Sequence, residues 1–204
     1  MIAIIDYGVG NLFSLRCSLK YIGHDAVITG DSAIIRKCEK MLLPGVGAFA
    51  DAAAMLRGTG MDSLIVGEAR KGKPLLGVCL GMQMLFEKSY EYGEHTGLGL
   101  LQGVVAPIKP RIPHGYKIPH IGWNALKLTG TEKSPLFKYV NEGDHVYFVH
   151  SFHAENCADS VTATTEYGAE LTAAVGSGNI FGTQFHPEKS GEAGLNILRA
   201  FAIY

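Results

Sequence analysis

Hydrophobic positions along this chain change their period several times, and each change marks an element. Residues 1–5 form a continuous apolar run that ends at Asp6, the pattern of a strand covered on both faces. After the turn-rich stretch Tyr7-Gly8-Val9-Gly10, Asn11 stands where a helix cap is needed. Leu12, Leu15, Leu19 and Ile22 then make one helical stripe, stopped by Gly23. Residues 26–29 and 40–43 read as strands, the second running into Pro44-Gly45-Val46-Gly47. Helical stretches follow over 50–57 and 61–71, then an apolar strand over 74–78. Strands alternating with helices predict parallel crossovers and a doubly wound α/β sheet.

The second half changes character. Between Leu98 and Leu128 the pattern is short strands interrupted by Pro107, Pro110, Pro113 and Pro119. Residues 146–149, 161–165, 171–175 and 180–185 read as strands with little helix between them. Antiparallel strands and a flap are therefore expected beside a mostly parallel core. A last helix from about Ser190 carries Leu195, Leu198 and Phe201 on one face. No repeat, low-complexity segment or linker interrupts the pattern, so a single domain over 1–204 is expected.

Candidate chemistry concentrates at three junctions. The strand over 74–78 stops at Gly77-Val78-Cys79-Leu80-Gly81, and Leu80, Met84 and Leu85 recur at helical spacing after it. Strand, sharp turn and helix with a nucleophile at the apex is the geometry of a nucleophile elbow. Side chains at positions 77 and 81 would collide with neighbouring backbone in so tight a turn. A helix N-terminus beside Cys79 would favour its thiolate, and the Leu80 N–H could face a developing oxyanion. A lone cysteine is equally well a core residue. The second junction is Gln184-Phe185-His186-Pro187-Glu188, where a buried strand ends on a histidine. Proline keeps the chain extended, so His186 and Glu188 would face one side, the carboxylate orienting the ring. The third is Pro44-Gly45-Val46-Gly47, either a plain tight turn or a loop whose Val46 or Gly47 N–H completes an oxyanion hole.

Composition narrows the classes. The chain has 204 residues, 47% of them apolar, and a formal charge of −1. There is no basic footprint for nucleic acid. The first residues lack the charged region and cleavage site of a signal peptide, and no apolar run reaches a membrane span. The four cysteines, Cys17, Cys38, Cys79 and Cys157, are scattered without paired spacing. That points to a reducing, cytoplasmic setting and away from a structural zinc site. No metal or cofactor is called for.

Taken together, LPGVGAF at 43–49, GVCLGMQ at 77–83 and FHPEKS at 185–190 resemble the three signatures of the class I (triad) glutamine amidotransferases, in order and separation, over almost the whole chain. The resemblance implies a flavodoxin-like fold, with Cys79 as nucleophile, His186 as general base and acid, and Glu188 as orienter. It implies an oxyanion hole from Val46, Gly47 and Leu80. It sets the substrate glutamine against Gly47, Gln83 and Glu91, beside the backbone of Ser151 and Phe152. Phe152-His153 departs from the tyrosines common in the family, so only a backbone contact is carried over there. Within the family, DYGVGNLFS at 6–14, IPHIGWN at 118–124 and YFVHSFH at 147–153 resemble glutaminase subunits of histidine biosynthesis. Such subunits form a heterodimer with a synthase (cyclase) subunit built as a (β/α)8 barrel, and pass ammonia to it. By resemblance the partner-facing surface carries Asn11, Trp123, Tyr147 and Lys189; Trp123 reads equally as a core aromatic. The rival readings are an amidotransferase of another pathway and a stand-alone cysteine hydrolase such as a γ-glutamyl hydrolase.

Overall fold

A computed structural model describes residues 1–130 and 132–204. The first half runs β1 (Ile2–Ile5), α1 (Leu12–Tyr21), β2 (Ala26–Thr29), α2 (Ser32–Lys37), β3 (Lys40–Leu43), α3 (Phe49–Gly58), α4 (Met61–Arg70), β4 (Leu75–Val78) and α5 (Leu80–Gln83). The second half adds β5 (Lys88–Ser89), β6 (His95–Thr96), β7 (Val104–Pro107), β8 (His120–Ala125), β9 (Lys127–Leu128), β10 (His145–His150) and β11 (Phe152–Glu155). It ends with β12 (Val161–Glu166), β13 (Glu170–Ser177), β14 (Ile180–Thr183) and α6 (Gly191–Ile203).

The main sheet has the order β2-β1-β3-β4-β14-β13-β12-β9. The pairs from β2 to β14 are parallel, and β13, β12 and β9 extend the sheet antiparallel. The mixed α/β expectation is met. Alternate residues of the parallel strands enter two separate cores, as the period of a strand requires. Ala3, Ile5, Met41, Leu43 and Leu75 pack with Ile35 of α2, Phe49 and Leu56 of α3 and Ile65 of α4. Ile2, Ile4, Leu42 and Leu76 pack with Leu15 and Leu19 of α1 and Ile197, Leu198 and Phe201 of α6. Helices therefore cover both faces, which is why these strands read as unbroken apolar runs. Two smaller units stand beside the sheet: an antiparallel ribbon of β8 and β10, and a four-stranded sheet ordered β11-β7-β5-β6.

Four local details differ from the sequence reading. Helix α2 was not expected; it is six residues long, and its visible signal is Asp31, whose carboxylate accepts from the N–H groups of Ala33 and Ile34. Asn11 occupies the cap position of α1 but makes no capping bond. The helix after the elbow is one turn. The carbonyls of Met84, Leu85 and Phe86 accept instead from Leu98, Leu100 and Gly99, so the chain leaves the helical path. Finally, residues 187–189 are not extended. They form a 3₁₀ turn, with Pro187 in the first-turn position that its fixed φ suits.

The elbow is a matter of clearance. Cys79 holds φ 56°, the left-handed region, a strained state for a residue with a side chain. A Cβ at Gly77 would lie 2.6 Å from the Gly81 carbonyl oxygen, and one at Gly81 only 1.9 Å from that of Leu43. Leu43 belongs to β3, so the two strand ends can close together only over glycine. Gly81→Ala is expected to destabilise the fold by about 3 kcal/mol, lowering Tm by roughly 6–12 °C in thermal unfolding.

Candidate active site

Parallel pairing brings the three junctions together. Strands β3, β4 and β14 lie side by side, with Leu43 opposite Gly77 and Thr183 opposite Val78. Their carboxyl ends therefore open on one side of the sheet, where ligand sites of α/β folds form. The Cys79 N–H donates to the Thr183 carbonyl at 2.7 Å, tying the elbow to the strand that leads to His186. A cavity of about 410 Å³ sits there. Val46, Gly47, Cys79, Leu80, Gln83, Glu91, Ser151, Phe152, His186 and Lys189 line it, so ten of the residues singled out from the sequence share one wall. Pro119, Val149 and His150 complete the lining.

Cys79 and His186 are both nearly buried. The ring of His186 donates from Nδ1 to Glu188 Oε1 at 2.9 Å, and the Glu188 side chain is fully buried. The 3₁₀ turn curls Glu188 back to the ring, in place of the expected extended strand. Burial opposes a charge on His186. Hydrogen bonds to Cys79 and Glu188, helped by their charges, outweigh it and raise its pKa to about 9. Backbone clamps hold the ring in place. The His186 N–H donates to Tyr147 O at 3.0 Å, and the Ser190 hydroxyl donates to His186 O at 2.6 Å.

The Pro44-to-Gly47 loop rests on the elbow. A Cβ at Gly45 would meet Gly81 N at 2.7 Å, and Gly47 holds φ +94°. Tyr7, unremarked in the sequence, donates its hydroxyl to Pro44 O at 2.8 Å. Burial, reinforced by Cys79, pushes the pKa of that hydroxyl well up, so it stays a neutral donor.

The residues expected on the substrate side are braced internally. Glu91 accepts from the Phe49 N–H at 2.6 Å, capping α3. The Gln83 side-chain nitrogen donates to Phe152 O at 3.1 Å and to Gln184 Oε1 at 3.0 Å. Gln184 is wholly buried, and its own amide nitrogen lies 3.7 Å from the Cys79 sulfur. The sequence reading passed over Gln184; its one signal was a polar residue at the end of an apolar strand. Phe152 O also accepts from His150 Nδ1 at 2.9 Å, and burial pushes the pKa of that histidine down to about 3.

The four surface candidates gather at the rim. Trp123 is 53% exposed, so the core alternative is set aside. It meets Tyr147 edge-on across the β8–β10 ribbon, and the Lys189 ammonium lies 5.9 Å from the Tyr147 ring. Asn11 faces inward more than expected. Its amide donates to Glu188 Oε1 at 3.1 Å, which explains the missing helix cap. Among the described residues, no three His, Cys, Asp or Glu side chains group as metal ligands, and no helix is long and apolar enough to cross a membrane.

A cysteine elbow at the end of a parallel strand, with a carboxylate-held imidazole at the end of the neighbouring one, is the arrangement of the α/β enzymes with a nucleophile elbow. The family model for class I glutamine amidotransferases matches residues 3–204, and the chain belongs to that family. It is 51% identical over 202 residues to the imidazole glycerol phosphate synthase subunit HisH of Caldanaerobacter subterraneus subsp. tengcongensis, covering 98% of this chain and 97% of that one. It is 49% identical over 201 residues to the subunit of that name from Methanothermobacter thermautotrophicus, with 98% and 97% covered. Within the amidotransferases it therefore falls among the HisH subunits. The fold likeness extends further: PurLQS from Thermotoga maritima superposes with a TM-score of 0.77 at 23% identity, covering 100% of this chain and 97% of that one.

The raised pKa of His186 has a consequence for stability. A pKa above the unfolded value of about 6.5 means that the folded state holds the proton more tightly. The contribution is complete below pH 6.5 and is lost as pH rises through about 9. Denaturant titrations of the parent should show stability falling across that window, by up to roughly 1.4 kcal/mol per pH unit. The His186→Asn variant should show a flatter limb.

Proposed function

We propose that this chain is the glutaminase subunit of an imidazole glycerol phosphate synthase of histidine biosynthesis. It hydrolyses L-glutamine to glutamate and ammonia through Cys79, His186 and Glu188, with residues 1–204 acting as one domain. The observation that carries this reading is the meeting of the Cys79 and His186 side chains in one cavity, with Glu188 on the far nitrogen of the ring.

The thiolate of Cys79 attacks the side-chain carbonyl carbon of glutamine, and the C=O electron pair moves to oxygen. Backbone N–H groups of the Val46–Gly47 stretch and of Leu80 receive that oxyanion; one such donor is typically worth roughly 3–4 kcal/mol. Imidazolium at His186 protonates the leaving nitrogen, and ammonia departs from a γ-glutamyl thioester. His186, now neutral, takes a proton from water, hydroxide adds to the thioester carbon, and glutamate leaves as the thiolate returns. Glu188 keeps Nδ1–H of the ring engaged, so that Nε2 is the nitrogen serving the reaction. The α-amino and carboxylate groups of glutamine lie among Gly47, Gln83, Glu91 and the backbone of Ser151 and Phe152. The one-turn helix after Cys79 supplies local N–H groups rather than a macrodipole, so the imidazolium is the main support of the thiolate.

Ammonia released into water at neutral pH becomes ammonium, which is no nucleophile. Direct transfer to a synthase subunit with a (β/α)8 barrel avoids this. That partner uses the ammonia to convert the phosphoribulosyl intermediate PRFAR to imidazole glycerol phosphate and AICAR. The exposed ribbon with Trp123, Tyr147 and Lys189, next to Asn11, is the surface on which the partner sits. The names of the close relatives, which are synthase subunits, support this choice. A cytoplasmic setting agrees with four cysteines that are all free thiols.

Cys79→Ala tests the reading. In the complex with the synthase subunit, glutamine-dependent synthesis is expected to be abolished, while synthesis supplied with ammonium salt continues at the parental rate. Glutamine-dependent turnover that survives the substitution would overturn the assignment of the nucleophile.

A further inference from the structure

Behind the cavity, on the side away from solvent, a row of buried amides ends at the Cys79 sulfur. We propose that Gln184 is a further catalytic residue: its side-chain amide donates a hydrogen bond to Cys79 Sγ and favours the thiolate. The inference rests on the reading of Cys79 as nucleophile and extends it to a residue with no assigned role.

Proton counting decides which way the amides point. The Phe152 carbonyl oxygen can only accept, and it lies 3.1 Å from the amide end of Gln83, so that end is the NH₂ group. The second proton of the same nitrogen is directed at Gln184, 3.0 Å away. The Gln184 atom that receives it must be the carbonyl oxygen. Its NH₂ group is therefore the one turned to sulfur, 3.7 Å away. Reversing Gln184 would set two NH₂ groups face to face and present a carbonyl oxygen to the thiolate. The Phe152 carbonyl is itself held by His150 Nδ1–H at 2.9 Å, so the orientation is anchored from outside the pair.

The placement has chemical consequences. A thiol is a weak acceptor, whereas a thiolate takes a full charge-assisted hydrogen bond. A donor fixed at sulfur therefore stabilises the ionised form selectively. Gln184 is fully buried, in surroundings where such a bond is strong and where no water can replace it. It is absent from the cavity wall, which Gln83 and Cys79 do line. Its effect thus falls on the sulfur and not on the capture of glutamine. His186 supports the thiolate from the cavity and Gln184 from the interior. The second support acts where sulfur carries charge: before the attack on glutamine, and again when the thiolate leaves as glutamate is released.

The test follows the pH dependence of Cys79 alkylation by iodoacetamide in the full chain, quantified on the Cys79 peptide because Cys17 is exposed and is alkylated too. Gln184→Met removes the donor at similar volume. Gln184→Glu keeps an acceptor toward Gln83 and replaces the donor with a carboxyl group. In Gln184→Met the alkylation midpoint should rise by about one pH unit, with roughly tenfold slower reaction below the parental midpoint. Gln184→Glu should move it further, because an ionised carboxylate opposes the thiolate. With the synthase subunit present, kcat for glutamine should fall by a similar factor while KM stays within about twofold. An unmoved midpoint in either folded variant, even with a lowered Tm, would reduce Gln184 to a packing role and overturn the proposal. If one variant fails to fold, the other decides. Cys79→Ala separates the two readings. Should it retain glutamine-dependent turnover, the nucleophile is misassigned. Should it be inactive while the Gln184 variants keep the parental midpoint, only the present inference fails.

Discussion

The constraint on which the rest of the structure depends is the close parallel packing of three strand ends. β4 lies between β3 and β14, and the chain leaving it must turn at once without striking either neighbour. Gly77 and Gly81 permit this because any Cβ would overlap backbone, in the second case the carbonyl of Leu43. Cys79 takes the strained apex between them. Backbone strain of this kind persists only where the surroundings over-determine it. Here the surroundings are a bond from Cys79 N–H to Thr183 and the Pro44–Gly45 turn pressed on Gly81. The same contacts that force the turn deliver the other two junctions to it.

Electrostatics then depends on burial as much as on proximity. His186 would lose its charge if burial acted alone; two hydrogen-bonding partners reverse the sign and carry its pKa to about 9. His150, a neighbour on the cavity wall, shows the opposite outcome. Its ring meets a backbone carbonyl and other imidazoles, and burial prevails. Two histidines lining one cavity thus differ by the company of a carboxylate and a sulfur. Tyr7 illustrates a third case, a hydroxyl kept neutral so that it can hold the Pro44 carbonyl.

The rim is joined to the interior through the backbone. Tyr147 lies on the exposed ribbon beside Trp123, yet its carbonyl accepts from His186 N–H, and its own N–H donates to the Ser190 hydroxyl that also holds His186 O. Asn11, in the loop between β1 and α1, is bonded to Glu188. The surface proposed for the partner and the groups proposed for the chemistry are therefore separated by single hydrogen bonds.

Much of this was legible in the chain itself. The parallel strands stood out as unbroken apolar runs because both their faces are covered, and the elbow was readable because tight turns have a local chemistry that only glycine satisfies. His186 and Glu188 do meet, but through a 3₁₀ turn and not the extended segment expected, since a proline that begins such a turn and one in an extended segment look alike in sequence. The short helix α2 lacked enough residues to show a period. The helix after Cys79 was overestimated because the carbonyls that end it are taken by residues 98–100. What the sequence determined by itself was short-range: the order of strands and helices, the clearance at the glycines and the residue types at each strand end. What only the tertiary structure decided was long-range. The Asn11 amide reaches a carboxylate 177 positions away, the Gln184 amide reaches a sulfur 105 positions away, and Trp123 faces outward. No local pattern encodes such contacts, because each depends on how separately folded segments close on one another around the sheet.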